Sequence, residues 1–277
     1  MSEPMVQNWL QYTHLDKLYG YLPGMPQAAP AIFGLDPAAY AEIIAQFNQR
    51  AAGAADRLLD DQRVAGWVDA LPFTPGQKVL AVGDSTTDDL QSWAVIFRHL
   101  LSKRRGQDHI DIINAGLSAH TTAMMLRRWP ATLAVKPDWI MCALGTNDVT
   151  RVGLEPTKPT VTADESIANL RQMRRIASHL TDASWVWLTP TPVIEERVAS
   201  HPPFQYGLST WRNQDITALA EAITALGAAS DEPVIDLIAA FGTAARPTLY
   251  GPDGVHPTLD GQIAITVALL QRLASIP

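Results

Sequence analysis

The alternation of short apolar runs with longer helical segments constrains the fold more than any other feature of this sequence. From about residue 74 onward, short runs of strand-forming residues alternate with segments whose apolar residues recur every three or four positions. That alternation is typical of βαβ units and a mostly parallel sheet. The predicted strands cover residues 78–82, 110–114, 139–144, 184–188 and 234–237.

The first seventy residues follow a different pattern. Residues 1–35 combine aromatic residues with prolines, which predicts an irregular segment that packs on something larger. The alanine-rich stretch that follows has apolar residues at helical spacing, and it predicts two or three helices broken near Gly53 and Gly66. The predicted division is a helical N-terminal extension, 1–73, packed on a main domain, 74–277.

Composition excludes several classes of partner. The net charge is −7, and no basic run exceeds three residues, which disfavours nucleic acid and anionic membranes. No segment approaches the roughly 20 apolar residues that a membrane span requires, and none has the pattern of a signal peptide, so we expect a cytoplasmic protein. The single cysteine, Cys142, lies in an apolar run and predicts a buried, inert thiol.

The first predicted strand of the main domain runs directly into Gly83-Asp84-Ser85, and an amphipathic segment follows at once. A serine at such a junction lies at the carboxyl edge of a parallel sheet, where open α/β folds bind their ligands. Two interpretations are open for Ser85. It is a nucleophile, or it belongs to ordinary turn chemistry, since any βα connection favours a glycine and a helix-capping Asp or Ser.

Small or polar residues also follow the other strands. Gly116 and Asn147 lie just beyond the second and third strands, and Asp253 and His256 follow the last one after a loop. One such residue is ordinary turn chemistry, but in a doubly wound sheet the ends of neighbouring strands meet in one crevice. The proline-containing stretches 149–161 and 190–206, which each follow a strand, are the predicted walls of that crevice.

The spacing of Asp253 and His256 is the sharpest local signal. Of seven histidines, only His256 has an acid three residues ahead of it. In a tight turn Asp253 can accept the Nδ1 proton of His256, which leaves Nε2 free to take a proton from a serine. The alternative is a surface turn that leads into a final helix capped by Thr258.

These motifs resemble those of the SGNH (GDSL-type) hydrolase family in order and approximate separation, over about residues 78–277. The resemblance implies a three-layer α/β/α sandwich with a five-stranded parallel sheet in flavodoxin-like order. It implies that Ser85 is the nucleophile, His256 the base and Asp253 its partner. It also implies an oxyanion hole made by the backbone amides of Ser85 and Gly116 and the side-chain amide of Asn147.

The sequence departs from the family pattern at three positions without losing a catalytic group. Thr86 follows the serine where the family often has Leu, Asp89 replaces a frequent Gly, and Ala119 replaces a second Gly in the Gly116 block. Asp89 and the nearby His120 alter the polarity of the pocket, so the resemblance does not predict substrate preference.

The activity implied by the resemblance is cleavage of carboxylic esters through an acyl-enzyme, with no cofactor or metal. We expect small-acyl or acetyl esters as the substrates. Acyl transfer and thioesterase or lipase activity remain alternatives on the same scaffold. The partner expected is a small-molecule ester, and the N-terminal helical segment caps the pocket, covers a sheet edge or makes a homo-oligomer contact. Arg151 is either a clamp for a substrate carboxylate or an ordinary surface arginine.

Two further classes compete with the serine hydrolase. A metal-dependent phosphoesterase would use Asp84, Asn147, Asp148 and His256 as ligands, but the sequence has no Asp-x-His or His-x-His pair of the kind that metal sites favour. A binding module would keep the crevice without turnover, although a mere binder has no use for an activated serine.

Overall fold

The computed structural model of the protein describes residues 3–242 and 246–276. In chain order its elements are α1 Glu3–Tyr12, α2 Leu15–Tyr19, α3 Met25–Ile32, α4 Pro37–Leu59, α5 Gln62–Asp69, β1 Lys78–Gly83, α6 Ser85–Asp88, α7 Trp93–Arg104, β2 Asp111–Asn114, α8 Thr122–Thr132, β3 Trp139–Ala143, β4 Arg151–Val152, α9 Ala163–Leu180, β5 Ser184–Leu188, α10 Glu195–Ser200, α11 Pro202–Tyr206, β6 Ser209–Thr210, α12 Asn213–Ala229, β7 Val234–Ile235, α13 Leu237–Phe241 and α14 Leu259–Leu273. Short 3₁₀ turns cover Gly106–Asp108, Leu133–Val135 and Pro247–Leu249.

Five of the strands form one parallel sheet in the order β2-β1-β3-β5-β7. This flavodoxin-like order confirms the predicted fold class, and each strand lies within two residues of its predicted bounds. The remaining strands, β4 and β6, pair antiparallel outside the main sheet. The predicted wall segments are therefore not purely irregular, because β4 lies in one of them and α10 and α11 lie in the other.

The sheet is covered on both faces. Successive side chains of β1 from Val79 to Val82 point to opposite faces, and both sets are apolar and buried. Val79 and Ala81 face a core shared with α4, α5, α7 and α14, whereas Leu80 and Val82 face a core shared with α8, α9 and α12. Cys142 of β3 is buried on the second face, where burial raises the pKa of its thiol to about 12. The result is the predicted three-layer sandwich.

The predicted helix breaks at Gly53 and Gly66 are wrong, because α4 and α5 run through them. The break falls at Asp60 and Asp61, where the Asp61 carboxylate accepts the Arg63 N–H and caps α5. A mid-helix glycine costs only about 1 kcal/mol relative to alanine, and buried packing of α4 outweighs that cost. The buried alanines that pack into the core from α4 are Ala51, Ala54 and Ala55.

The irregular segment predicted for residues 1–35 is helical over most of its described part; residues 1 and 2 lie outside the described residues. Val6 and Leu10 of α1 and Phe33, which directly follows α3, are buried against Ile43 and Phe47 of α4. Their apolar residues are too few and too widely separated by prolines to reveal a helical period in the sequence. The division at residue 73 stays a prediction.

None of the helices that the structure describes is long and apolar enough to cross a membrane.

Candidate active site

Local packing and helix capping fix the serine turn, Gly83-Asp84-Ser85, between β1 and α6. Strand β1 ends at Gly83, where a Cβ atom would lie 2.0 Å from Thr87 Oγ1 and 3.0 Å from the carbonyl oxygen of Ala143, so only glycine fits. Asp84 then caps α6 by accepting the Thr86 N–H at 3.1 Å. Ser85, the first residue of α6, is consequently held at the carboxyl edge of the sheet.

The structure brings Ser85, His256 and Asp253 into one hydrogen-bonded chain. Ser85 Oγ lies 2.9 Å from His256 Nε2, and His256 Nδ1 lies 2.7 Å from Asp253 Oδ2. The other carboxylate oxygen of Asp253 accepts the backbone N–H groups of Val255 and His256 at 2.8 and 2.9 Å. Because an ionised carboxylate only accepts hydrogen bonds, Nδ1 of neutral His256 carries the proton. Nε2 then presents a lone pair to the serine.

Charge around His256 favours its protonated form. Burial alone lowers the pKa of His256, but the hydrogen bond and charge of Asp253, with further charge from Asp84 and Asp89, raise that pKa above its ordinary value. Burial opposes ionisation of Asp253, yet its bonds to His256 and Val255 lower its pKa to about 2. Asp253 is therefore ionised at any ordinary pH.

The turn that carries this pair depends on Gly254. Its φ is +74°, and a Cβ atom there would lie 2.6 Å from the carbonyl oxygen of Ile194. Arg197 of α10 donates to the carbonyl oxygens of Pro247, Tyr250 and Gly251, which lie just before the turn. The predicted wall segment 190–206 thus supports the loop that presents His256.

Gly116 lies against the serine turn, and a Cβ atom there would be 2.7 Å from the backbone nitrogen of Asp88. Its own N–H donates to Asn114 Oδ1 at 3.0 Å. Close packing of two backbones therefore explains the glycine. Its expected place in an oxyanion hole stays a prediction, and the structure directs this N–H at Asn114 instead.

Ala119 stands out in the sequence only as a departure from the family pattern, and the sequence predicted no role for it. It adopts a left-handed conformation with φ +62°, and its N–H has no hydrogen-bond acceptor among the described residues. The same is true of the N–H of Ser85 over the described chain. Asn147 Nδ2 donates to the carbonyl oxygen of His120 at 3.1 Å, which leaves its second hydrogen for another acceptor. The replacement of a frequent glycine at 119 was the available signal.

The candidate metal ligands have other partners. Asp148 accepts hydrogen bonds from the N–H and Oγ1 of Thr122 and from Ser166 Oγ, so its carboxylate joins the loop after β3 to α8 and α9. Asp84 is a buried cap, and burial raises its pKa to about 6. Within 3–242 and 246–276, no group of three or more His, Cys, Asp or Glu side chains could hold a metal ion.

Arg151 is engaged in an ion pair. Its Nε and Nη2 atoms lie 2.6 and 2.9 Å from the two carboxylate oxygens of Asp215. This bidentate pair joins β4 to the first turn of α12. The structure therefore favours the interpretation of Arg151 as a structural residue over that of a substrate clamp.

A flavodoxin-like parallel sheet with Ser, His and Asp hydrogen-bonded at its carboxyl edge defines the SGNH class of hydrolases. The chain belongs to the GDSL-like lipase/acylhydrolase family, which its sequence matches over residues 81–263. It is accordingly a carboxylic ester hydrolase.

Similar proteins support the family and the fold. An acetylxylan esterase of Geobacillus stearothermophilus is 26% identical over 220 residues, which cover 72% of this chain and 94% of the relative. The crystal structure of Axe2, an acetylxylan esterase of the same organism, shares the fold with a TM-score of 0.59 at 21% identity, over 74% of this chain and 96% of Axe2. LAE5, an alpha/beta hydrolase enzyme from the metagenome of Lake Arreo, Spain, gives 0.59 at 18% identity, over 73% and 96%.

Proposed function

We propose that the protein hydrolyses acetyl and other small acyl esters, acetylated saccharides among them, through an acyl-enzyme formed on Ser85. The observation that carries the proposal is the 2.9 Å contact between Ser85 Oγ and His256 Nε2. Asp253 Oδ2 orients the same imidazole from 2.7 Å at Nδ1. The acetyl preference is supported by the similarity to an acetylxylan esterase.

In the proposed reaction, His256 Nε2 takes the proton of Ser85 Oγ as that oxygen attacks the carbonyl carbon of the ester. The ionised Asp253 stabilises the resulting imidazolium. The tetrahedral intermediate then expels the alcohol, which receives the proton from His256. Water, activated by the same imidazole, cleaves the acyl-enzyme in a second round and restores Ser85.

The negative charge that develops on the carbonyl oxygen needs donors aimed at it. The proposed donors are the backbone N–H of Ser85, one hydrogen of Asn147 Nδ2 and the backbone N–H of Ala119. We assign the third donor to Ala119 rather than Gly116 because the Gly116 N–H already has Asn114 Oδ1 as acceptor. The N–H groups of Ser85 and Ala119 have no acceptor within the described ranges.

The direct test is hydrolysis of p-nitrophenyl acetate by the wild type and by Ser85→Ala, each with and without EDTA. We expect EDTA-insensitive activity that falls at least about 10³-fold in Ser85→Ala, since the nucleophile is lost. Ser184→Ala, at an exposed serine that begins β5, is the matched control. Loss of activity to EDTA would indicate a metal enzyme, and absence of activity in the wild type would indicate a binding module.

A fluorophosphonate probe tests the nucleophile independently of turnover. We expect one adduct, mapped by peptide mass spectrometry to Ser85. An adduct at another residue would contradict the assignment.

The acyl preference is tested with p-nitrophenyl esters of increasing chain length and with acetylated xylo-oligosaccharides. We expect kcat/KM to be highest for acetyl and to fall as the chain lengthens. A maximum at medium or long chains would favour a lipase or thioesterase.

A further inference from the structure

The N-terminal segment reaches the active site through Tyr12, the last residue of α1. The ring of Tyr12 lies against the imidazole of His256, with centroids 4.6 Å apart and planes inclined at 39°. The family match begins at residue 81, so this contact is made by a part of the chain outside it.

Gln11 anchors Tyr12 to the serine turn. Its Nε2 lies 3.0 Å from both carboxylate oxygens of Asp89 and 3.1 Å from Tyr12 Oη, and its carbonyl oxygen accepts the Leu90 N–H at 3.2 Å. Asp89 is completely buried and follows α6 directly. The end of α1 is therefore fixed to the residue that directly follows the helix of Ser85.

A second anchor lies a few residues further along the segment. His14 Nδ1 and Lys17 Nζ lie 2.7 and 2.6 Å from Asp88 Oδ1, and Lys17 also donates to the carbonyl oxygen of Gly116 at 3.0 Å. Burial opposes ionisation of Asp88, but His14 and Lys17 more than offset it and lower the pKa of that carboxyl. The segment thus holds the last residue of α6 as an ion-paired carboxylate.

The Tyr12 ring restrains His256 against tilting out of the plane of its imidazole. The bonds to Asp253 and Ser85 lie in the plane of the imidazole, so they resist tilting out of that plane only weakly. An aromatic ring against one face opposes such a tilt and excludes water from that face. Water exclusion also strengthens the attraction between His256 and Asp253.

We propose that Tyr12 is a positioning residue for His256, and that residues 11–17 complete the catalytic site. The proposal rests on the proposed role of His256 as the base. Tyr12 acts through its ring and not as an acid or base, because burial, with the charges of Asp89 and Asp253, raises the pKa of its hydroxyl well above the ordinary value.

The test compares Tyr12→Ala, which removes the ring, with Tyr12→Phe, which keeps it. Active sites are counted with a fluorophosphonate, so that kcat refers to competent enzyme alone. We expect kcat per active site to fall about 10- to 100-fold in Tyr12→Ala, with KM changed less, because misorientation of the base by a fraction of an ångström slows proton transfer. Tyr12→Phe should recover to within about threefold of the wild type.

Tyr21→Ala is the matched control, since that tyrosine of the same segment is 77% exposed, and it should leave kcat unchanged. If Tyr12→Ala does not fold, Tyr12→Leu keeps the apolar volume and should show a similar loss. Wild-type kcat per site in Tyr12→Ala or Tyr12→Leu, even with fewer competent sites, would overturn the inference, as would a Tyr12→Phe as slow as Tyr12→Ala. Inactivity of the wild type, or an adduct away from Ser85, would instead refute the proposed function.

Discussion

Asn147 differs from the other proposed oxyanion donors because it donates from its side chain and not from its backbone. Mutation can therefore remove this donor. Asn147→Ala should lower kcat by about 10²- to 10³-fold, the usual effect of losing one such donor. The free energy of unfolding should fall by no more than about 1 kcal/mol, because only the bond to the His120 carbonyl is lost. Kinetics with p-nitrophenyl acetate and urea denaturation give the two quantities.

Asn48→Ala, at an exposed position of α4, serves as the control for the Asn147 variant. Unchanged turnover in Asn147→Ala would remove this residue from the oxyanion hole.

The pH dependence of the enzyme should follow the imidazole of His256. The proposed base works only when Nε2 is unprotonated, so kcat/KM should be lost as pH falls through the pKa of His256, which lies above its ordinary value of about 6.5. Asp253→Asn removes the negative charge that does most to raise the pKa of His256, so that pKa should fall. NMR titration of the imidazole measures this pKa without turnover. A His256 pKa that is unchanged in Asp253→Asn would contradict the electrostatic account.

Among single residues, the sequence predicted the parts of the site that are locally encoded. The Asp253–His256 pair and the glycine–aspartate–serine turn are each set by a few neighbouring residues, and the structure brings them together. The contact of Tyr12 with His256 joins residues far apart in the chain, and nothing in the local sequence signals it. The orientation of the Gly116 N–H likewise depends on a side chain that only the folded loop positions.

At the scale of elements, the loop after β2 packs so closely against α6 that residue 116 must be glycine. Gly116→Ala should lower the free energy of unfolding by about 1–3 kcal/mol, because the new Cβ would lie within 3 Å of Thr87 and Asp88. It should also lower kcat, since α6 carries Ser85. Urea denaturation and active-site titration check both effects.

Ala119→Gly, three residues further along the same loop, is the contrasting variant. Glycine relieves the left-handed backbone at 119 but adds freedom to the unfolded chain, so the free energy of unfolding should stay within about 1 kcal/mol of the wild type. If Gly116→Ala is tolerated as well as Ala119→Gly, close packing does not explain the glycine.

Elements were predictable from the sequence where burial imposes a period. The strands of the main sheet are buried on both faces and stand out as apolar runs, whereas α1–α3 bury only a few residues against α4. The continuous α4 was mispredicted because a glycine weakens a helix locally, while the packing that stabilises it comes from the distant α7 and α14.

At the scale of the whole molecule, Asp89 joins the segment after α6 to two distant parts of the chain, α1 and α14. It accepts hydrogen bonds from Gln11 of α1, from the Gln91 N–H and from Gln262 of α14. Burial nevertheless dominates and raises the pKa of Asp89 to about 6. The folded protein thus carries an acid that ionises only near pH 6, against about 4 in the unfolded chain.

Because its folded pKa is raised, Asp89 stabilises the protein most below pH 4, and this contribution is lost as pH rises through 6. Comparison with Asp89→Asn isolates it from other groups. Between pH 4 and 7 the wild type should lose roughly 2–3 kcal/mol of unfolding free energy relative to the variant, as about two units of pKa shift require. Urea denaturation across this range measures the difference. A difference that does not vary with pH would mean that Asp89 is ionised throughout.

The buried thiol of Cys142 gives the protein an internal probe of its own opening. It is the only cysteine in the sequence, it lies on the central strand β3 with 1% exposure, and burial suppresses its thiolate. A thiol reagent in solution can reach it only in molecules whose sheet has transiently opened. The rate of modification therefore reports how often the centre of the sheet opens under native conditions, without an engineered label.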